Sequence, residues 1–465
     1  TLAALLHSTT RLRGGVLVTG MVYRHPAVLA NMAATLDITS GGRLELGVGA
    51  GWNTDECGAY GIDLGTIKER CDRFAEGLEV IRLLLSQPTS SFEGEHFRLI
   101  AAHGGDFNGT TSEDRTNYFE VVPSNFLERV LFLEADRMGF LLPALTEAKF
   151  ANQRDVVLNE RRQNYENRPY GLAPMVMLAA LYPPEHPYHW TTIGEIADLH
   201  AARLEDVRRF FSTYYHPANA SITLAGDIDP DQALALVRAY FEPIPAGPSV
   251  SPVRPATPVL TGETRLLHED RVELPRLYIA WHSPAMFADG DADLDLAADI
   301  LANGKTSRLY RRLVFEQRIA TDVSAAQNSR EIGGFLQIAA TAAPGHTLAE
   351  VEAAFTEEVA RLATEGPSAE EMERGRVQAE SQFMFRLQSV GGFGGKSDQL
   401  NAYNTFLDDP NYFTRDLERY QVVTRESLMA TVRQYLHHAN RVALSVVPKG
   451  RPELALPGST TAVVS

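Results

Sequence analysis

The chain has 465 residues, 44% of them hydrophobic and 22% charged, which is ordinary globular material with apolar side chain enough for more than one buried core. Its 59 acidic residues outnumber the 43 basic ones, and no Lys/Arg cluster interrupts the formal net charge of -16, which argues against nucleic acid as a partner. No apolar run approaches the roughly 18 residues of a bilayer span, and residues 1–20 lack the apolar core and cleavage pattern of a signal peptide.

The first residue is Thr1 rather than Met, so a start upstream of it is expected. Between residues 14 and 100, the runs "GGVLVTGMVY" and "RLELGVGAGW" are short, apolar and bounded by glycine. They alternate with the helical stretches "HPAVLANMAATLDITSGG" and "TIKERCDRFAEGLEVIRLLLSQP", the spacing of parallel βα units. Cys57 and Cys71 have neither metal-knuckle spacing nor the density of a disulfide scaffold, and are read as ordinary thiols.

From about residue 104 the pattern changes to antiparallel-type strands and long amphipathic helices. "YYHPANASITLAG" at 214–226 resembles "YLHHANRVALSVV" at 435–447, pairing His216 with His437 and Asn219 with Asn440. "NYFEVVP" ends at Pro123 before a helical stretch, and "FLQIAATAAP" ends at Pro344 before another. Both pairs of anchors are 221 residues apart, so a duplicated α+β domain is predicted. The Pro-, Ser- and Thr-rich stretch "EPIPAGPSVSPVRPATPVLTGE" between the copies reads as a linker.

The segments "GGDFNGTTSEDRTNYFEVVPSNFLERVLFLEADRM", "NQRDVVLNERRQNYENRPYG", "HPYHWTTIGEIADL" and "YYHPANASITLAGDIDPDQALALVRAYFEPIP" resemble the insulinase or pitrilysin family of zinc peptidases. "SRLYRRLVFEQRIATDVSA", "GGFGGKSDQLNAY" and "NRVALSVVP" resemble the second homologous domain of that family. The resemblance implies two α+β domains closed as a clamshell around an extended peptide or unfolded polypeptide. Its chemistry requires a His-x-x-Glu-His helix, whose two histidines bind zinc and whose Glu activates the water, plus a third ligand from a later Glu. That later Glu maps onto Glu160. The two-histidine motif is absent: none of the 13 histidines has Glu at the third and His at the fourth position after it.

His186 and His189, in "PPEHPYHW", form a close pair whose spacing around Pro187 points to a loop rather than a zinc site. Gly104, Gly105, Asn108, Gly109 and Thr110 match the family's exposed strand, which accepts substrate as an added strand. The same polar, glycine-flanked residues are also compatible with simple protection of a sheet edge. Active relatives supply an Arg and a Tyr from the second domain to hold the scissile carbonyl. The Tyr position here is Ala320, while Arg308 and Tyr310 read as an ordinary helix face.

Residues 16–99 resemble the luciferase-like flavin or deazaflavin oxidoreductases, through "RHPAVLANMAATLDITSGGRLELGVGAGWNTDECGAYGI", "ERCDRFAEGLEVIRLLL" and "FEGEHFRL". The resemblance implies a TIM barrel with its cofactor at the C-terminal strand ends, where Gly47, Gly49 and Gly51 would lie. About two of the eight βα units of such a barrel are present, too few to enclose a flavin.

The expected organisation is α+β: a partial βαβα piece of a luciferase-like barrel over 1–100, an insulinase-type domain truncated at its start over 101–245, a linker over 246–269, a second insulinase-type domain over 270–450 and a tail over 451–465. The join near Ile100 and Ala101 has no linker, which points to an incomplete or chimeric gene product rather than a fusion of whole domains. The expected function is that of a metallopeptidase relative inactive by itself, with neither zinc nor flavin held. The alternatives are a non-catalytic subunit that binds peptides or pairs with an active homologue, and a luciferase-like oxidoreductase.

Overall fold

The computed structural model describes residues 2, 6, 9–53, 57, 62, 64–86, 104–256 and 258–462. The expected join near Ile100 and Ala101 lies outside them. Two compact units are present: one comprises Thr1–Asn108, Tyr118–Glu134 and Gly226–Tyr240, and the other Gly109–Asn117, Ala135–Ala225 and Phe241–Ser465. Among the described residues no helix is long and apolar enough to cross a membrane.

The chain begins with the predicted βαβα arrangement. Strand β1 (Gly14–Gly20) pairs in parallel with β2 (Leu44–Gly49), helix α1 (Pro26–Ser40) connects them, and α2 (Ile67–Ser86) follows. Pro26 starts α1 where a missing N–H costs nothing, the His25 ring accepts from the Ala27 N–H, and Gly41 ends the helix at φ 73°. Met21, Ala27, Leu29, Ala30, Val80 and Ile81 form a small core. Among the described residues little covers the outer part of β1: Leu17 is 98% exposed.

The duplicated region follows. Hairpin β3 (Asp106–Thr111) and β4 (Thr116–Val121) leads to α3 (Leu127–Ala144), α4 (Glu147–Arg161), α5 (Ala173–Leu181), α6 (Ile196–Ala201), α7 (Leu204–Tyr214) and α8 (Pro230–Phe241). The second copy comprises β5 (Thr264–Asp270), β6 (Arg276–Ser283), α9 (Asp291–Ala302), β7 (Ala320–Asn328), β8 (Gly334–Ala342), α10 (Leu348–Thr364), α11 (Ala369–Gln388), α12 (Lys396–Leu407), α13 (Phe413–Gln421), α14 (Arg425–Tyr435), β9 (Val442–Pro448) and β10 (Thr460–Thr461). The 221-residue offset recurs in the elements: β4 ends at Val121 and β8 at Ala342, α3 starts at Leu127 and α10 at Leu348, and α7 and α14 run over Leu204–Tyr214 and Arg425–Tyr435.

The copies differ in their sheets. The second holds six strands in the order β10-β5-β9-β6-β8-β7, with β5 parallel to β9 and the pairs β9–β6, β6–β8 and β8–β7 antiparallel. Helices α9, α10 and α14 bury Leu294, Ile300, Phe355 and Leu428 on one face of this sheet. Helix α5 buries Val176, Met177 and Leu181 on the other, against Val442, Leu444 and Val446. Residues 221–225, the counterpart of β9, form no strand. In the second copy β9 is held between β5 and β6, whereas the counterpart of β5, 221 residues upstream, is β2 of the luciferase-like segment, which pairs with β1 instead. Ser221 is held by α12 side chains, its hydroxyl accepting from Asn404 Nδ2 at 2.9 Å and donating to Asn401 Oδ1 at 2.5 Å.

Candidate functional site

Glu160 stands in the last turn of α4. Thr146 caps the start of this helix by accepting from the Lys149 N–H, and Glu147 in the first turn suits its dipole. The next residue, Arg161, is 2% exposed. It donates to the Gly194 carbonyl at 2.6 Å and pairs with Glu166 at 3.1 Å and Glu195 at 3.8 Å. This buried anchor fixes the end of α4 and leaves the neighbouring Glu160 exposed.

After α4 the backbone widens into a π-helical turn over Arg162–Glu166 and doubles back through residues 167–171. Tyr170 takes φ 61°, a costly conformation for a bulky residue, and is held there from two sides. Its N–H donates to Asp270 at 2.7 Å, its hydroxyl donates to the Leu274 carbonyl at 2.9 Å, and the Arg276 guanidinium lies 4.2 Å over its ring. Arg276 is itself committed, to Thr341 at 2.7 Å and to Asp322 at 3.3 Å.

These pieces enclose a cleft of about 670 Å3, whose walls include Thr111, Glu160, Tyr165, Arg168, Tyr170 and Tyr278. Thr111 is the last residue of β3, so the exposed strand predicted to take a peptide runs to the wall that carries Glu160. Burial pushes the Tyr278 hydroxyl pKa above its usual value, so this side chain stays neutral in the physiological range. Gly171 allows the turn to close. A Cβ there would lie 2.1 Å from the Tyr165 carbonyl oxygen, a main-chain atom that cannot step aside. Gly171→Ala is therefore expected to cost about 1–3 kcal/mol and to lower the thermal midpoint, and an unchanged midpoint would contradict this packing.

The strand is tethered through its hairpin. Asp114 accepts from the Tyr188 hydroxyl and, at 3.0 Å, from the Glu331 N–H, while Glu113 pairs with Arg330 at 2.8 Å. Asp398 accepts from Asn117 at 3.0 Å and pairs with Arg115 at 3.3 Å. Of the residues predicted to receive peptide, Asn108, Gly109 and Thr110 lie in β3 and are exposed, and Thr110 also bonds Asn117. Gly104 and Gly105 precede the strand, Gly104 at φ 78°.

The predicted cofactor glycines lie along β2 and just after it, and packing accounts for two of them. A Cβ on Gly47 would come within 2.5 Å of the Val16 carbonyl oxygen, and one on Gly49 within 2.7 Å of Val18. Gly51 takes φ 85°. His186 caps a turn by accepting from the Tyr188 N–H at 3.1 Å, and His189 bonds the Tyr182 carbonyl at 2.7 Å. Arg308 grips Glu371 with two nitrogens at 2.8 and 2.7 Å. Among the described residues no three His, Cys, Asp or Glu side chains come together as metal ligands. Glu160 by itself does not fit a catalytic zinc ion, which needs three protein ligands and an open position.

Arg168, Tyr165, Tyr170 and Tyr278 are the cleft residues that sequence reasoning missed. The turn signal Pro169, Tyr170, Gly171 after a helix marks part of the wall. Nothing local marks Tyr278, which arrives from β6.

Residues 80–185 match the insulinase family (peptidase family M16), 201–378 the peptidase M16 inactive domain, and 1–111 the luciferase-like monooxygenases. The M16 and luciferase-like matches overlap over 80–111, across the expected join. The chain is 29% identical over 312 residues to the zinc protease PqqE of Helicobacter pylori, covering 65% of this chain and 68% of that protein. Over 100 N-terminal residues it is 34% identical to an F420-dependent glucose-6-phosphate dehydrogenase of Amycolatopsis mediterranei, 30% of whose length it spans. In fold it is similar to the crystal structure of a protease from Helicobacter pylori, with a TM-score of 0.69 at 24% identity over 75% of this chain and 84% of that one. The chain is thus similar to the insulinase family of peptidases, M16, over residues 80–185 and 201–378, and to the luciferase-like monooxygenases over residues 1–111.

Proposed function

We propose that this chain captures an extended peptide in the Glu160 cleft and does not hydrolyse it on its own. The observation that supports this most is the meeting of Thr111, at the end of the exposed strand β3, with Glu160 in one cleft of about 670 Å3. Ligand clefts of that size hold a short stretch of chain. A peptide laid along β3 gains main-chain hydrogen bonds as an added strand, and the tethered hairpin spares it the cost of ordering that strand. Hydrolysis at the same place requires a metal-activated water, and among the described residues the cleft lining contributes one carboxylate, Glu160, where three ligands are needed.

A flavin or deazaflavin is no part of this proposal. Among the described residues the two βα units leave much of β1 exposed, Leu17 at 98%. The test is fluorescence anisotropy of a labelled, unstructured peptide titrated with the full chain. A saturable rise that weakens when β3 is blocked by Thr111→Pro, which removes a main-chain donor at the cleft, is the expected result. The absence of any rise with the unaltered chain would sink the capture reading.

A further inference from the structure

The charges in the cleft are unevenly used. Arg276 is occupied by Thr341, Asp322 and the Tyr170 ring. Glu160 and Arg168 line the same cleft, both exposed, and neither side chain forms a hydrogen bond or ion pair among the described residues, with each other or with any neighbour. Their surroundings are Tyr165, Tyr170, Tyr278, Thr111 and Thr192, which bring no compensating charge. The cleft therefore presents one negative and one positive group that stay apart, on walls that the Arg161 anchor and the Tyr170 tether hold fixed.

We infer that the cleft selects a dipolar peptide segment, in which a basic side chain meets Glu160 and an acidic side chain meets Arg168. This rests on the capture reading above and adds to it the class of peptide taken. In an extended strand, side chains two residues apart share a face and stand roughly 7 Å from each other, so one short segment can carry both charges into one cleft. Arg168 offers a planar fork of donors to a carboxylate, and Glu160 offers two acceptor oxygens to an ammonium or guanidinium. Because strand addition fixes the direction in which the peptide runs, only one order of the two charges fits. A uniformly acidic or uniformly basic peptide satisfies one group and is repelled by the other.

The experiment uses the full chain and four labelled peptides of equal length: one with Lys and Asp two positions apart, one with these two exchanged, one with both replaced by Gln, and one with Asp at both positions. Anisotropy at low salt is expected to rank one dipolar order about four- to twenty-five-fold tighter than the neutral peptide, with two exposed ion pairs each contributing about two- to fivefold. Glu160→Gln and Arg168→Gln should each remove one of those factors. The double reversal Glu160→Lys with Arg168→Glu should reverse the preferred order, which loss of structure alone would not do. Melting curves of the variants identify any that fail to fold. If the neutral peptide binds as tightly as both dipolar ones, or if the double reversal leaves the preferred order unchanged in a folded variant, this inference falls while capture stands. If none of the four peptides binds, the capture reading falls with it.

Discussion

Replacing Asp291 by alanine is expected to destabilise the second M16 domain by about 3–5 kcal/mol, the usual consequence of removing one partner from a buried charged network. Asp291 is the first residue of α9 and is 2% exposed. Its carboxylate accepts from the Phe287 N–H at 3.0 Å, from the Ser329 hydroxyl at 2.6 Å and from Gln327 at 3.4 Å, and it pairs with Arg419 at 3.2 Å. It thereby joins the loop before α9, the end of β7 and helix α13. Phe287 is held at φ 65° beside it, and without the acceptor that conformation loses a hydrogen bond. Arg419 retains Asp416 at 2.7 Å, so part of its charge remains compensated, and Asp291→Asn, which keeps the shape, should lose less than Asp291→Ala. Urea midpoints for the two variants decide the matter: a loss under about 1 kcal/mol for alanine would place the network among weak surface pairs.

The second large effect is a dependence on pH. His282, on β6, is packed edge-on to Tyr182 at 5.1 Å, and its Nε2 is buried without a hydrogen-bond partner. Burial, with a smaller contribution from the nearby His186, pushes its pKa down from 6.5 to about 4, while a main-chain contact at Leu181 opposes the shift. The unfolded chain then takes up the proton near pH 6.5 and the folded one only near 4. Between these values the unfolded state binds more protons, so stability is fully present above about pH 6.5 and falls as the pH drops toward 4. Taking about 1.4 kcal/mol per pH unit, the loss between pH 7 and pH 5 is on the order of 2 kcal/mol. Asp295 acts in the opposite sense. Burial first, and the Asp291 charge next, raise its carboxyl to about 7, so that it favours the folded state at low pH and loses that contribution as the pH rises through the same range. The two partly cancel in the unaltered chain. His282→Gln removes one of them, and its stability should fall by about 2 kcal/mol less than that of the unaltered chain between pH 7 and pH 5. Equal losses in the two proteins would contradict the buried, neutral state of His282.

Much of the architecture could be read from residues because it is periodic. The anchors at Pro123 and Pro344, and at His216 and His437, announced the duplication, and the helices and strands beside them share the same offset. The βα pattern between residues 14 and 86 was legible for the same reason, in the proline that opens α1 and the glycines that bound both strands. Residues 221–225 show the limit of such reasoning. They carry strand-like sequence, but a strand exists only with a neighbour, and the counterpart of β5, which flanks β9 in the second copy, is β2, paired with β1 instead. The cleft shows another limit. Glu160 came from a family motif and Thr111 adjoins a predicted strand, whereas Arg276 and Tyr278 reach the same cleft from beyond the linker, a convergence that no local period of 2 or 3.6 residues encodes. Tyr170 was invisible for a third reason: a bulky residue at positive φ runs against local preference, and the tertiary bonds to Asp270 and Leu274 are what hold it.

Peptide capture in the Glu160 cleft without hydrolysis is proposed because the described residues offer no group of three metal ligands. The most direct measurement is to dialyse the purified full chain against zinc, determine bound metal per chain, and incubate the same sample with an unstructured peptide whose products are read by mass spectrometry. Metal well below one ion per chain and a peptide recovered intact are the results expected. One tightly held zinc per chain, together with peptide cleavage that a chelator abolishes, would contradict it.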